Sequence, residues 1–154
     1  TVAVLSVSTT RSLAEDASGH WIAQRAVREG HRVVAHEVVT DAVPAIRRVL
    51  TRLLADPAPQ AVIMTGGTGI TPKDVTFEAV QPLFAKELTA FGPIFAQLSY
   101  EEIDAAALIS RATAGVIGQS LVFCLPGSLK ACQLACKALI FPELGHMYGH
   151  VTEA

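Results

Sequence analysis

Four apolar residues, Ala61-Val62-Ile63-Met64, run straight into Thr65-Gly66-Gly67-Thr68-Gly69. That junction limits what the chain can fold into more than any other stretch. A short apolar run without polar alternation reads as a strand buried on both faces. Three glycines just past its end permit positive φ and let a ligand approach the backbone with no Cβ in the way. Consecutive free N–H groups in such a loop form a concave anion site, and Thr65, Thr68 and Thr71 add hydroxyl donors. The loop is not a P-loop, because no Gly-Lys-Ser/Thr follows, and it lacks the third glycine of the dinucleotide fingerprint. An ordinary glycine-rich turn is the competing reading. Against it stands the next segment, Pro72-Lys73-Asp74-Val75-Thr76, which sets a cation and a carboxylate beside the expected anion site. Asp74 is read either as a ligand or as a turn or capping residue. Thr76 is expected to cap a short helix over Phe77–Val80.

The rest of the chain places this junction in a doubly covered sheet. Val2–Val7 is a second two-faced apolar strand. A helix is expected from about Asp16 to Glu29, closed by Gly30, then a strand over His31–Val39. Val43, Ile46, Leu50 and Leu53 recur at helical period. The middle, Phe77 to Ser110, reads as helical pieces. A hairpin is expected between Ala114 and Leu125, turning at Gly118-Gln119-Ser120. A helix then runs from Ser128, its expected N-cap, to about Phe141. Strands alternating with helices predict an α/β domain with a mostly parallel sheet and right-handed crossovers. Ligands of such sheets sit outside the carboxyl ends of the strands. The loops Thr65–Asp74 and Leu125-Pro126-Gly127-Ser128 both fall there, and together they suit a ligand with more than one anionic end.

With 154 residues, 51% of them hydrophobic, one domain over 1–154 is expected. No apolar stretch reaches the ~18 residues of a spanning helix. Val2–Val7 is too short for a signal peptide and has no cleavage site after it, so no membrane and a cytoplasmic location are expected. Net charge is −2 with scattered basic residues, which speaks against a nucleic-acid surface. His146 and His150, four apart, lack the zincin glutamate, Met147 standing in its place, and are not read as a metal site. Cys132 and Cys136 read as buried, inert thiols. Trp21 and Ile22 read as core or subunit contact. Asp41 is either the N-cap of the second helix or a ligand. Arg111 is either a pocket residue or one half of an ion pair.

At this point the residues resemble a known family. Thr65-Gly66-Gly67-Thr68-Gly69, Asp74-Val75-Thr76, Ser110-Arg111-Ala112 and Leu125-Pro126-Gly127-Ser128 are similar, in order and spacing, to the molybdenum-cofactor biosynthesis (MoaB/MogA) family. Supporting stretches are Thr10-Arg11-Ser12, Glu15-Asp16-Ala17-Ser18-Gly19 and Pro142-Glu143-Leu144-Gly145-His146. The segment Leu98-Ser99-Tyr100-Glu101-Glu102-Ile103 looks more like the B-type branch. The resemblance implies a three-layer α/β/α, molybdopterin-binding-like fold that assembles as a homotrimer or homohexamer. It implies Mg-ATP-dependent adenylylation of molybdopterin with release of pyrophosphate, and transient contact with the enzyme that inserts molybdenum. Carried over by motif, Gly66, Gly67, Thr68 and Gly69 would cradle phosphate, flanked by Thr65 and Thr76. Asp74 and Asp41 would be the catalytic carboxylates and would hold Mg2+. Ser110, Arg111, Pro126, Gly127 and Ser128 would line the remaining pocket. The chain departs from the family where a Glu and an Arg are replaced by Pro93 and Ala96. That favours a second reading, a non-catalytic molybdopterin-binding or carrier protein, whereas the intact Asp74 and Asp41 favour the enzyme. Gly67→Val is expected to weaken pterin binding and leave the fold largely intact.

Overall fold

The computed structural model describes residues 1–153. Its strands are β1 (Val2–Val7), β2 (Val33–Val39), β3 (Ala61–Thr65), β4 (Lys86–Glu87), β5 (Thr113–Ile117) and β6 (Ser120–Leu125). Its helices are α1 (Ala17–Arg28), α2 (Val43–Ala55), α3 (Thr76–Val80), α4 (Phe91–Ile103), α5 (Leu129–Ala135) and α6 (Phe141–Thr152). The strands form one sheet in the order β2-β1-β3-β6-β5-β4. β2, β1, β3 and β6 run parallel, so their carboxyl ends share one edge, while β5 runs opposite to them, between β6 and β4 and antiparallel to both.

Alternation along each central strand feeds two separate cores, because successive side chains point to opposite faces. Val2, Val4, Ile63 and Phe123 pack with Ile22 of α1, Phe95 of α4, Cys132 of α5 and Leu144 of α6. Ala3, Leu5, Met64 and Val122 pack with Ile46, Leu50 and Leu53 of α2 and Val80 of α3. The result is the expected three-layer α/β/α sandwich, with Val43 only partly buried at the end of the α2 stripe. Among the described residues no helix is long and apolar enough to cross a membrane.

Three expectations need correction. The middle segment is not all helical: Lys86–Glu87 pairs with Gly115–Val116 as a short edge strand. Both residues are exposed, so no burial pattern marks them, and only their partner strand creates them. The hairpin turns on Gly118-Gln119, and Ser120 already belongs to β6, opposite Ile117. The last helix does not stop near Phe141. A π-helical turn, Cys136–Ile140, carries α5 into α6, and Pro142 lies just beyond it, in the first turn of α6.

Candidate functional site

The two glycine-bearing loops leave adjacent strands at the same edge and close on each other. The amide of Gly66 donates to Leu125 O at 3.0 Å, and the Thr65 hydroxyl donates to Pro126 O at 2.9 Å. Ser18 of α1 donates to Gly127 O at 2.9 Å. The backbones meet so closely that a Cβ on Gly127 would lie 3.3 Å from Gly66 Cα. Gly66 itself has φ +97, and a Cβ there would stand 2.3 Å from the Val7 carbonyl oxygen. No residue with a side chain fits that space, which explains the glycine in sequence terms.

The loop carbonyls are tied down one after another. Thr76 donates its hydroxyl to Gly66 O at 2.8 Å and its amide to Gly67 O at 2.9 Å. Arg111 Nε donates to Thr68 O at 2.8 Å. The amides of Gly67 and Thr68 meet no protein acceptor among the described residues. A run of backbone whose carbonyls are held and whose N–H groups are spare is an anion-binding arrangement.

These loops open on a cavity of about 670 Å³, within the ordinary range for small-molecule sites. Asp41, Gly66, Gly67, Thr68, Gly69, Asp74, Ser110, Pro126, Gly127 and Ser128 all stand on its wall. The remaining sequence-predicted residues are placed behind the wall. Thr65 and Thr76 are buried and act as struts. Thr76 does not cap α3, whose N-cap is Val75 with no side-chain bond. Arg111 does not line the cavity either: besides Thr68 O, it pairs with Glu78 at 2.9 Å and lies over the Phe77 ring at 4.6 Å. Ser128 caps α5 as expected, accepting from the Ala131 amide at 3.2 Å. Asp41 is not the N-cap of α2; Ala42 is. Its Oδ2 accepts from the Thr9 hydroxyl at 2.6 Å, and its Oδ1 lies beside Gly67, 3.3 Å from where a Cβ on that residue would stand. Pro93 and Ala96 lie on α4, off the cavity wall.

Asp74 is both turn residue and site residue. Its Oδ2 accepts from the Thr71 hydroxyl at 2.7 Å and the Thr71 amide at 2.9 Å. The Thr71 hydroxyl bond, helped by the Thr71 and Gly69 amides and the nearby Arg111 charge, holds the carboxyl below the usual range despite partial burial. It is ionised at neutral pH.

The β1–α1 loop supplies wall residues that the motif reading did not assign: Ser8, Thr9, Thr10 and Arg11. The available signal was positional, since this loop too follows the carboxyl end of a central strand. Its base is fixed by Asp16, which is buried. Asp16 accepts from Ser6 Oγ at 2.5 Å, from His36 Nε2 at 2.7 Å and from the Gly19 amide at 3.0 Å. Burial alone would raise its pKa, but the Ser6, His36 and Gly19 bonds outweigh this and lower it. A Cβ at Gly19 would sit 2.0 Å from that carboxylate. Arg11 and Lys73 thus face a cavity that also carries Asp41 and Asp74, a mixed-charge wall suited to phosphate with a bridging cation. The three cysteines are reduced and buried. Burial pushes the thiols up, to about 12 for Cys124 and about 11 for Cys132, and raises Cys136 as well, which disfavours the reactive thiolate form.

Residues 3–146 match the MoCF_biosynth family, described as "Probable molybdopterin binding domain". The molybdenum cofactor biosynthesis protein B of Bacillus subtilis (strain 168) is 47% identical over 151 residues, covering 97% of this chain and 89% of the relative. The protein of the same name from Escherichia coli (strain K12) is 43% identical over 143 residues, covering 93% and 84%. A crystal structure of a molybdenum cofactor biosynthesis protein B superposes with a TM-score of 0.94 at 38% identity, covering 97% of this chain and 94% of the other. The tungsten cofactor synthesizing protein MoaB from Pyrococcus furiosus superposes with a TM-score of 0.87 at 37% identity, covering 99% and 96%.

Proposed function

The chain belongs to the MoaB/MogA-type family of molybdenum cofactor biosynthesis proteins, and from that premise we propose that it adenylylates molybdopterin with Mg-ATP. The observation that carries this reading is one wall that combines spare amides of a glycine loop, two cations and two carboxylates. A phosphate oxygen of molybdopterin attacks the α-phosphorus of ATP. A P–O bond forms, the bond to the β-phosphate breaks, and pyrophosphate leaves. The Gly67 and Thr68 amides orient one phosphate, and Arg11 and Lys73 offset the charge of the others. Positioning and electrostatics carry most of such a transfer, so the reaction needs no protein nucleophile.

Two carboxylates beside a phosphate site match what Mg2+ takes, one or two carboxylates completed by substrate phosphates and water. Asp41 and Asp74 would hold it, and it would supply charge neutralisation at the transferring phosphate. The adenylylated pterin then passes to the molybdenum-inserting enzyme by transient contact. The second reading, a carrier that binds molybdopterin without reacting, follows from Pro93 and Ala96, but neither touches this cavity. Mass spectrometry after mixing the protein with molybdopterin, ATP and magnesium decides between them. The expected product is the pterin plus one adenylyl group with equimolar pyrophosphate. Bound but unchanged pterin would establish the carrier.

The chain is further proposed to work as a trimer or a pair of trimers. Ile94, Tyr100, Ile103, Leu108 and Ile109 are exposed along α4 and the 3₁₀ segment after it, Leu108 to 85%. Apolar side chains grouped in this way mark an interface. Light scattering at micromolar concentration should give three or six times the 16.3 kDa chain mass. A clean monomer would refute the assembly and leave the chemistry standing.

A further inference from the structure

Away from the cavity, two exposed histidines of α6 meet. His146 and His150 lie one helical turn apart, and their Nε2 atoms approach to 3.0 Å. Each ring is held from its other side by a carboxylate. His146 Nδ1 donates to Glu143 Oε2 at 3.0 Å, and His150 Nδ1 donates to Glu153 Oε2 at 3.1 Å. A carboxylate only accepts, so both Nδ1 atoms donate, and the two Nε2 positions, each a lone pair unless a proton bridges them, face one another. Such lone pairs repel at that separation unless a cation joins them. A carboxylate on the far N–H is also how histidine metal ligands are oriented and made more basic.

The distances leave room for that cation. The ring centroids are 4.7 Å apart and the planes tilted by 56°, while the Nε2 atoms are only 3.0 Å apart, so the rings lean toward each other at their nitrogens. A metal–imidazole bond is about 2.0 Å. At that bond length a 3.0 Å bite subtends roughly 95°, the cis angle of a tetragonal centre rather than a tetrahedral one. Nitrogen ligation with tetragonal geometry is the habit of Cu2+ and Ni2+. Among the described residues no group of three or more His, Cys, Asp or Glu is placed to hold a metal, so the protein would supply two ligands and water the rest. The residue pattern alone does not mark these histidines as a metal site, but on this geometry we propose that His146 and His150 form a surface chelate for a tetragonal divalent metal, Cu2+ foremost.

The test uses the whole untagged chain, stripped with chelator and titrated with CuCl2 by calorimetry and electron paramagnetic resonance. One equivalent should bind with the signature of two imidazole nitrogens. His146→Ala and His150→Ala should each weaken binding by at least roughly tenfold. Glu143→Gln with Glu153→Gln should weaken it by up to about tenfold, and Zn2+, which prefers tetrahedral ligands, should bind less tightly than Cu2+. The side chains are 71% and 62% exposed, so the variants should keep the wild-type circular dichroism. Copper held at the loop carboxylates would show oxygen ligation alone. If wild type binds Cu2+ no better than the double histidine variant, or shows only oxygen ligation, the site does not exist and the two rings merely share a proton.

Discussion

Replacing Gly66 by alanine should lower stability by about 3–5 kcal/mol, from backbone strain plus a contact that nothing flexible can relieve. With φ at +97 the residue sits outside the region that L side chains adopt. Its Cβ would meet the Val7 carbonyl oxygen at 2.3 Å, and Val7 is the last residue of a central strand. The strand end or the loop must move, which also breaks the Gly66–Leu125 bond between the two rims. Gly30 is the control: its φ is +88, yet nothing lies within 4 Å of the added Cβ, so alanine there should cost about 1 kcal/mol. Urea midpoints of the two variants measure the difference. Equal losses would mean that conformation alone, and not the crowding of β1 against the loop, selects glycine. The same contacts revise the expectation for Gly67→Val. Gly67 has φ +65 and its Cβ would lie 2.4 Å from the Thr76 hydroxyl, so valine there disturbs the strut beneath the loop as well as the ligand.

Asp74→Asn should cut turnover by about 10²–10³-fold while pterin binding holds or rises slightly. The amide oxygen can still accept from the Thr71 amide and hydroxyl that now bond Oδ2, so the turn survives and the thermal midpoint should fall little. What disappears is the charge. On the proposed reading the glycine-loop amides and Arg11 would still receive the phosphate, and one repulsive carboxylate would be gone from its neighbourhood. Pyrophosphate release, pterin fluorescence titration and thermal unfolding on the two proteins side by side separate these effects. An active wild type with an equally active variant would remove Asp74 from the chemistry.

Features that depend on neighbours within a few residues are legible in the amino-acid sequence. The apolar runs of β1 and β3 mark buried parallel strands, the glycine loop marks a backbone site, and Ser128 marks a cap. Features that depend on distant partners are not legible in this way. Lys86–Glu87 is a strand only because β5 lies beside it. Thr76 has the composition of a cap, but its hydroxyl is claimed by Gly66 ten residues earlier. Arg111 has the chemistry of a phosphate ligand and instead braces Thr68 and Glu78. Arg11 carries no assigned role in the motif, and only the arrangement of β1 beside β3 brings it to the wall. For Asp41 the choice between cap and ligand turns on one residue of register: Ala42 takes the cap, and the carboxylate is left to the cavity.

The two rims of the cavity come from β3 and β6, and the Thr65–Pro126 bond that ties them spans 61 residues of chain. Neither rim exists as a binding surface until the long intervening segment has folded and β6 has docked, so no half-folded chain can grip the pterin. Ligand occupancy is therefore linked to the cooperative stability of the whole domain and not to local ordering of a loop. At a hundredfold excess over the dissociation constant, such linkage adds about 2.7 kcal/mol. An occupied molecule opens far less often than an empty one, and its survival against proteases should rise and fall with the supply of the ligand proposed for the cavity.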